Sequence, residues 1–222
     1  MRFTLGSRQW FTNRRRPIIA RVCALVMPLL MVGCATLSGK RTEPGDTHPR
    51  LGPTTYYEEG LIAFLGVDTN AACKSVKRDN ELFPLAFVYV NKTKDNLRLT
   101  TESITLRDDA GTVYSLASYR EFREKYVSRA AADNRLSESF RRFTNMHLGI
   151  SPDGLAPYTQ DPLPFYGLQG ARSDRLELGA SRFVRGLLFF PKPPGGLKGR
   201  LFELNVSSPD LADDIFVRFT IC

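Results

Sequence analysis

Histidine is nearly absent from this chain of 222 residues, with His48 and His147 the only two. A hydrolytic triad or a histidine-based metal centre would have to be built around very few imidazoles, which narrows the acid–base chemistry on offer. No Gly-x-x-x-x-Gly-Lys phosphate loop occurs, and no Gly-x-Ser-x-Gly nucleophile elbow; Ser181, in Gly179-Ala180-Ser181-Arg182, lacks the second glycine. The apolar run Val22–Gly33 has twelve residues and contains Pro28, short of the roughly 18–20 a bilayer-spanning helix needs. Acidic residues are missing altogether from positions 1–33.

That last absence decides how the charge is read. The chain carries 31 basic and 23 acidic side chains, a formal +8, which taken alone invites a nucleic-acid partner. Six of the arginines (Arg2, Arg8, Arg14, Arg15, Arg16 and Arg21) lie within residues 1–33, and the remaining 189 residues carry only +2. The basic balance belongs to the N-terminus, so no nucleic-acid partner is expected. An apolar content of 42% is enough for a folded core and excludes a wholly disordered chain.

A positive block followed by a short apolar run is the pattern of a secretory signal. The segment Leu30-Met31-Val32-Gly33-Cys34-Ala35 that ends it resembles the lipobox of bacterial lipoproteins, with Met31 in place of the commoner leucine. The resemblance implies cleavage after Gly33 and acylation of Cys34, which becomes the first residue of the mature protein. Ala35 after the cysteine resembles lipoproteins sorted to the outer membrane, facing the periplasm. Several acyl chains at about 0.8 kcal/mol per buried CH₂ would hold such a protein firmly on a membrane.

With Cys23 in the signal and Cys34 acylated, Cys73 and Cys222 remain for the body. An oxidising compartment favours a disulfide between them. Two free thiols are the alternative. A metal site using His147 lacks a fourth ligand and the close Cys-x-x-Cys spacing, so neither metal nor cofactor is expected.

Residues 34–57 are polar and rich in Gly, Pro, Ser and Thr, and read as a flexible tether that includes His48. From residue 58 to 222 the pattern is mainly β. The runs Leu61–Val67, Pro84–Val90 and Arg182–Phe190, and the alternating segments around Leu201–Val206 and Ile215–Ile221, predict strands. Ile104–Arg107, the turn Asp108-Asp109-Ala110-Gly111 and Thr112–Tyr114 predict a hairpin. Strands of this number and length predict an antiparallel β-sandwich. The adjacent acids Asp108-Asp109 and Asp213-Asp214 fall at turns and are expected in solvent.

A helical insertion interrupts the strands at about 118–148. Phe122, Tyr126 and Ala130, then Leu136, Phe140 and Phe143, follow helical spacing. Asp133-Asn134 is expected to divide it into two helices, with Glu121/Lys125 and Glu138/Arg142 as supporting pairs. This insertion holds seven basic residues against four acids. Arg120, Arg123, Arg129, Arg141 and Arg142 are therefore the candidate interaction face, toward anionic headgroups or an acidic partner. A loop rich in proline and aromatic residues follows at about 149–172.

Val88–Thr93, Ile104–Tyr114, Leu176–Gly179 and Arg185–Phe190 resemble, in that order, the immunoglobulin-like domains of the DUF4352 type that are often attached to bacterial lipoproteins. The resemblance implies an Ig-like antiparallel sandwich and carries over no functional residue. The expected function is a non-enzymatic interaction or assembly domain on an envelope lipoprotein. Two alternatives are an envelope hydrolase built on His147 with Asp153 or Asp161, and a structural subunit of a secretion or surface apparatus.

Overall fold

The computed structural model describes residues 46–47, 54–93, 95–149 and 157–222. Gly33, Cys34, His48 and Asp153 lie outside them. No described helix is long and apolar enough to cross a membrane.

The segment Leu82–Asn91 is apolar on both faces of its pleat, and as strand β4 all ten of its residues are buried. A strand of that kind has to be covered twice, which sets the layers of the molecule. It sits within a six-stranded sheet of order β1 (Asp46–Thr47), β2 (Thr55–Glu59), β3 (Ala63–Asp68), β4, β10 (Arg182–Pro191) and β8 (Thr159–Pro162). A four-stranded sheet covers one face, in the order β12 (Ile215–Thr220), β11 (Leu201–Val206), β6 (Ile104–Asp108) and β7 (Val113–Ser115). The two meet through Phe83 and Phe202, whose ring centres are 6.2 Å apart, and through Tyr56, whose hydroxyl lies 3.0 Å from Thr220 Oγ1. The short pair β5 (Leu97–Thr100) and β9 (Arg175–Leu178) forms a third sheet. Asn91 pins it, donating to the carbonyls of Leu178 and Gly179 while its own carbonyl accepts from Thr93.

The fold is therefore mainly β and sandwich-like, with the hairpin β6–β7 where the sequence predicts it and Gly111 at φ 85° in its turn. Three expectations need correction. The ordered body starts before residue 58, because Thr55–Glu59 pairs with β3 and Tyr56 is part of the core. The aromatic hydroxyls of this segment made it look polar, but Tyr56 and Tyr57 present their rings to Phe219 and Phe64. The sheet is also not wholly antiparallel, since β8 pairs with β10 in parallel. That strand comes from the proline- and aromatic-rich segment, of which the described residues 157–172 pack onto the body. Tyr166 is buried there and its hydroxyl donates to the carbonyls of Ala117 and Phe189.

The third correction concerns Asp108, which is buried rather than solvated. It accepts from Tyr114 Oη at 2.8 Å, the Thr112 amide at 2.8 Å and Arg200 Nη2 at 2.7 Å. Desolvation pushes its pKa up, but these donors and the Arg200 charge together hold it below the ordinary value.

A six-residue helix, α1 (Asn70–Ser75), follows β3 and carries Cys73, which is disulfide-bonded to Cys222 with Cα atoms 5.3 Å apart. The bridge ties the end of the chain, just beyond β12, to the connection between β3 and β4. It spans 149 residues of sequence, so the chain-entropy account gives it an upper value near 5 kcal/mol. Replacing both cysteines by serine should lower the unfolding free energy by about 2–4 kcal/mol. Denaturant unfolding of the double variant and of the reduced wild type checks this.

The Asp108 carboxylate contributes stability above its unfolded pKa, near 4, and that contribution is lost as pH falls through the lower folded value. Asp108→Asn should therefore destabilise by about 2 kcal/mol at pH 7. The gap from wild type should close as thermal melts are taken from pH 5 toward pH 2.

Candidate functional site

The other face of the six-stranded sheet is covered by three helices, not two: α2 (Tyr119–Lys125), α3 (Val127–Leu136) and α4 (Glu138–His147). Ser118 and Glu121 form a capping box that starts α2. Glu121 is thereby used at the cap, and Lys125 pairs with Glu81 instead of with it. The breaks fall at Tyr126 and Ser137, while Asp133 and Asn134 lie inside α3.

Asp133 behaves differently from its helix-breaking propensity because tertiary donors occupy its carboxylate. It is fully buried, accepts two hydrogen bonds from Arg78 at 2.9 and 3.0 Å, and accepts a third from Tyr126 Oη at 2.7 Å. With its oxygens committed to those donors, it does not compete for the helix backbone. Desolvation first, and then the bond to Asp133, push the Tyr126 phenol above its usual pKa.

Of the apolar stripes read from the sequence, Phe122, Tyr126, Ala130, Phe140 and Phe143 turn inward. Phe122 and Tyr126 pack on Phe189 of β10, with ring centres 4.7 and 5.0 Å away, and Phe143 packs near Phe64 of β3. His147, the last residue of α4, stacks on Phe64 at 4.5 Å and its Nε2 lies 3.2 Å from Glu59 Oε2. Glu59 also accepts from Lys92 at 2.5 Å, and chiefly for that reason its pKa is lowered.

The five candidate arginines are all exposed but do not form one cluster. Arg120 pairs with Glu124 at 2.9 Å, and Arg123 reaches the Tyr119 hydroxyl at 3.4 Å. Arg129 borders a hollow of about 400 Å³ together with Arg78, Asp79 and Ala132. Arg141 and Arg142 both turn to Glu138, at 2.5 and 4.0 Å. Arg141 borders a separate hollow of about 320 Å³ between the α3–α4 junction and β10. Among the described residues, Arg123, Arg129 and Arg135 have no carboxylate within ion-pair distance.

The hydrolase constellation is not assembled from the described residues. His147 packs over β3, whereas Asp161 lies on β8, three strands away in the sheet, or about 14 Å. Asp161 is held by Arg182, whose Nε donates at 2.7 Å. Ser181 has φ 55° in the exposed turn between β9 and β10, where its carbonyl accepts from the Thr159 amide. No group of three or more His, Cys, Asp or Glu side chains among the described residues could hold a metal.

The side chain that sequence reasoning passed over is Arg185. It stands in β10, and its guanidinium lies at the smaller hollow, donating to Asn145 Oδ1 at 2.9 Å and Gln160 Oε1 at 2.9 Å. In sequence it is one arginine in an apolar strand, with no spacing that separates it from an edge cation. Next to it, Gly186 admits Leu163, whose Cδ2 would lie 2.7 Å from any Cβ at that position.

No protein-family model and no curated protein matches the sequence. Among solved structures, the chain is similar to the ycdA protein of Bacillus subtilis strain 168, assigned as a lipoprotein. The TM-score is 0.37 and the identity 15%, over 76% of this chain and 39% of that one. It is also similar to the yjhA protein of Bacillus subtilis, with a TM-score of 0.39 and 10% identity, over 75% of this chain and 96% of that one. This chain thus spans about two fifths of the length of the first.

Removing one partner of a buried ion pair strands the other, at a typical cost of about 3–5 kcal/mol. Asp133→Ala should fall in that range and loosen α3 selectively. Hydrogen exchange should show faster amide exchange in Val127–Leu136 while the amides of β4 stay protected.

Proposed function

We propose that this protein is an exported envelope lipoprotein, anchored through acylated Cys34, whose body is a non-catalytic interaction or assembly domain. The membrane is the outer one, by the reading of Ala35, and the body faces the periplasm. The observation that carries the anchor is the Gly33–Cys34 junction, placed where an apolar run gives way to a polar segment.

The interaction reading is supported by the division of labour within the helical layer. Its aromatic residues pack on the sheet, while Arg123, Arg129 and Arg135 are exposed and have no carboxylate partner among the described residues. Exposed, unpaired guanidinium groups can meet an acidic protein surface at little desolvation cost. The non-catalytic reading is supported by the separate commitments of His147 to Glu59 and Phe64, and of Asp161 to Arg182.

Mass spectrometry of the membrane fraction tests the anchor. The expected N-terminal peptide begins at Cys34 and carries diacylglycerol and an acyl chain; an unmodified Cys34 or an intact N-terminus overturns it. Site-specific photo-crosslinking in cells tests the surface. A crosslinker at Arg129 should trap a discrete protein partner, and one at exposed Asp213 should not. Equal trapping at both positions removes the helical layer from the contact.

A further inference from the structure

Along β10, side chains at every second residue share one face. In that row Phe183, Leu187 and Phe189 are buried, at 0–2% exposure, and Arg185 stands among them. An aliphatic residue would complete the row at lower cost, because a half-buried guanidinium sheds water that neutral acceptors replace only in part.

The acceptors here are indeed neutral. Arg185 donates to the side-chain amide oxygens of Asn145 and Gln160 and, at 3.4 Å, to the backbone carbonyl of Arg141. No described carboxylate lies within ion-pair distance of it. Glu138 borders the same hollow but gives its oxygens to Arg141, which together with Arg142 holds its pKa below the usual range. Desolvation lowers the Arg185 pKa to about 10, and the nearby Arg141 charge adds to this. At neutral pH the group is therefore still a cation.

The hollow of about 320 Å³ beside it is bordered by Asn134, Ser137, Glu138, Arg141, Gln160 and Arg185, among others. That volume lies at the lower end of the range for small-molecule sites. Two cations and one anion leave the wall with a single net positive charge. One carboxylate would balance it, whereas a doubly charged phosphate would be repelled by Glu138. The amide and hydroxyl groups of Asn134, Gln160 and Ser137 suit a ligand that also carries hydroxyls.

We propose that the hollow between the α3–α4 junction and β10 is a binding site for a small hydroxylated monocarboxylate, of the sugar-acid class, with its carboxylate seated on Arg185. The site lies on the body and does not depend on the lipid anchor.

Calorimetric titration of the detergent-solubilised mature protein at pH 7 tests this, with glucuronate as probe and glucose and inorganic phosphate as comparisons. Glucuronate should bind at least tenfold more tightly than either. Arg185→Leu should abolish the binding while keeping or raising the melting temperature, since the row becomes wholly apolar. Asn134→Asp leaves Arg185 in place and adds a negative charge at an exposed position, and should weaken glucuronate at least tenfold. The proposal is overturned if glucuronate shows no binding up to about 10 mM. It is equally overturned if glucose or phosphate matches glucuronate, or if Asn134→Asp leaves binding unchanged. An Arg185→Leu protein that unfolds would assign Arg185 a structural role and overturn the stability argument on which the site rests.

Discussion

The molecule is organised by the need to bury β4 on both faces. Phe83 on this strand meets Phe202 of the four-stranded sheet, while its neighbours in β3 and β10 offer Phe64 and Phe189 to the helices. A sheet with two apolar faces has no stable form with either face in water. The helical layer is therefore an integral wall of the core. Phe122, Tyr126 and Tyr166 converge on the single ring of Phe189 from two different segments of chain, each with ring centres no more than 5.0 Å away. At such density a lost methylene is felt directly, because neighbours relax only partly into the space.

Polar groups in the interior follow the same logic. Among the described residues, each buried carboxylate combines donors near it in sequence with others brought in from further along the chain: Asp133 takes Tyr126 and Arg78, Asp108 takes Thr112, Tyr114 and Arg200, and Asp68 takes the Asn70 amide, Thr54 and Thr55. They differ in sign. Burial outweighs the donors at Asp68 and raises its pKa, whereas a full guanidinium helps pull Asp108 down. Arg185 is the inverse case, a cation received by neutral oxygens.

The exposed and the half-buried arginines consequently have different physical meanings. Arg120 and Arg142 on the helix surface are solvated, so their pairs with Glu124 and Glu138 contribute little. Arg185 is partly stripped of water, so any anion reaching it meets a stronger field than one reaching the outer helices. Charge that is counted along the chain weights these groups equally, although the dielectric around them is not the same.

Much could be read from local pattern alone. Alternation and turn chemistry located β6, β7, β10, β11 and β12, and helical spacing singled out Phe122, Tyr126, Phe140 and Phe143 as the inward stripe. These signals are legible because a strand repeats every two residues and a helix every 3.6, whatever the rest of the chain does. The proposed export signal and the proposed acylation of Cys34 rest on local pattern alone, since both lie outside the described residues. That pattern missed β2, whose tyrosines sit in a polar context, and it divided the helices at Asp133, whose donors lie 55 and 7 residues away. It could not show that Asp108 is buried, that β8 runs parallel to β10, or that Arg185, beside a hollow, has no carboxylate within ion-pair distance among the described residues. Each of those facts depends on which distant segments become neighbours, and only the closed tertiary packing decides how much water a charge keeps.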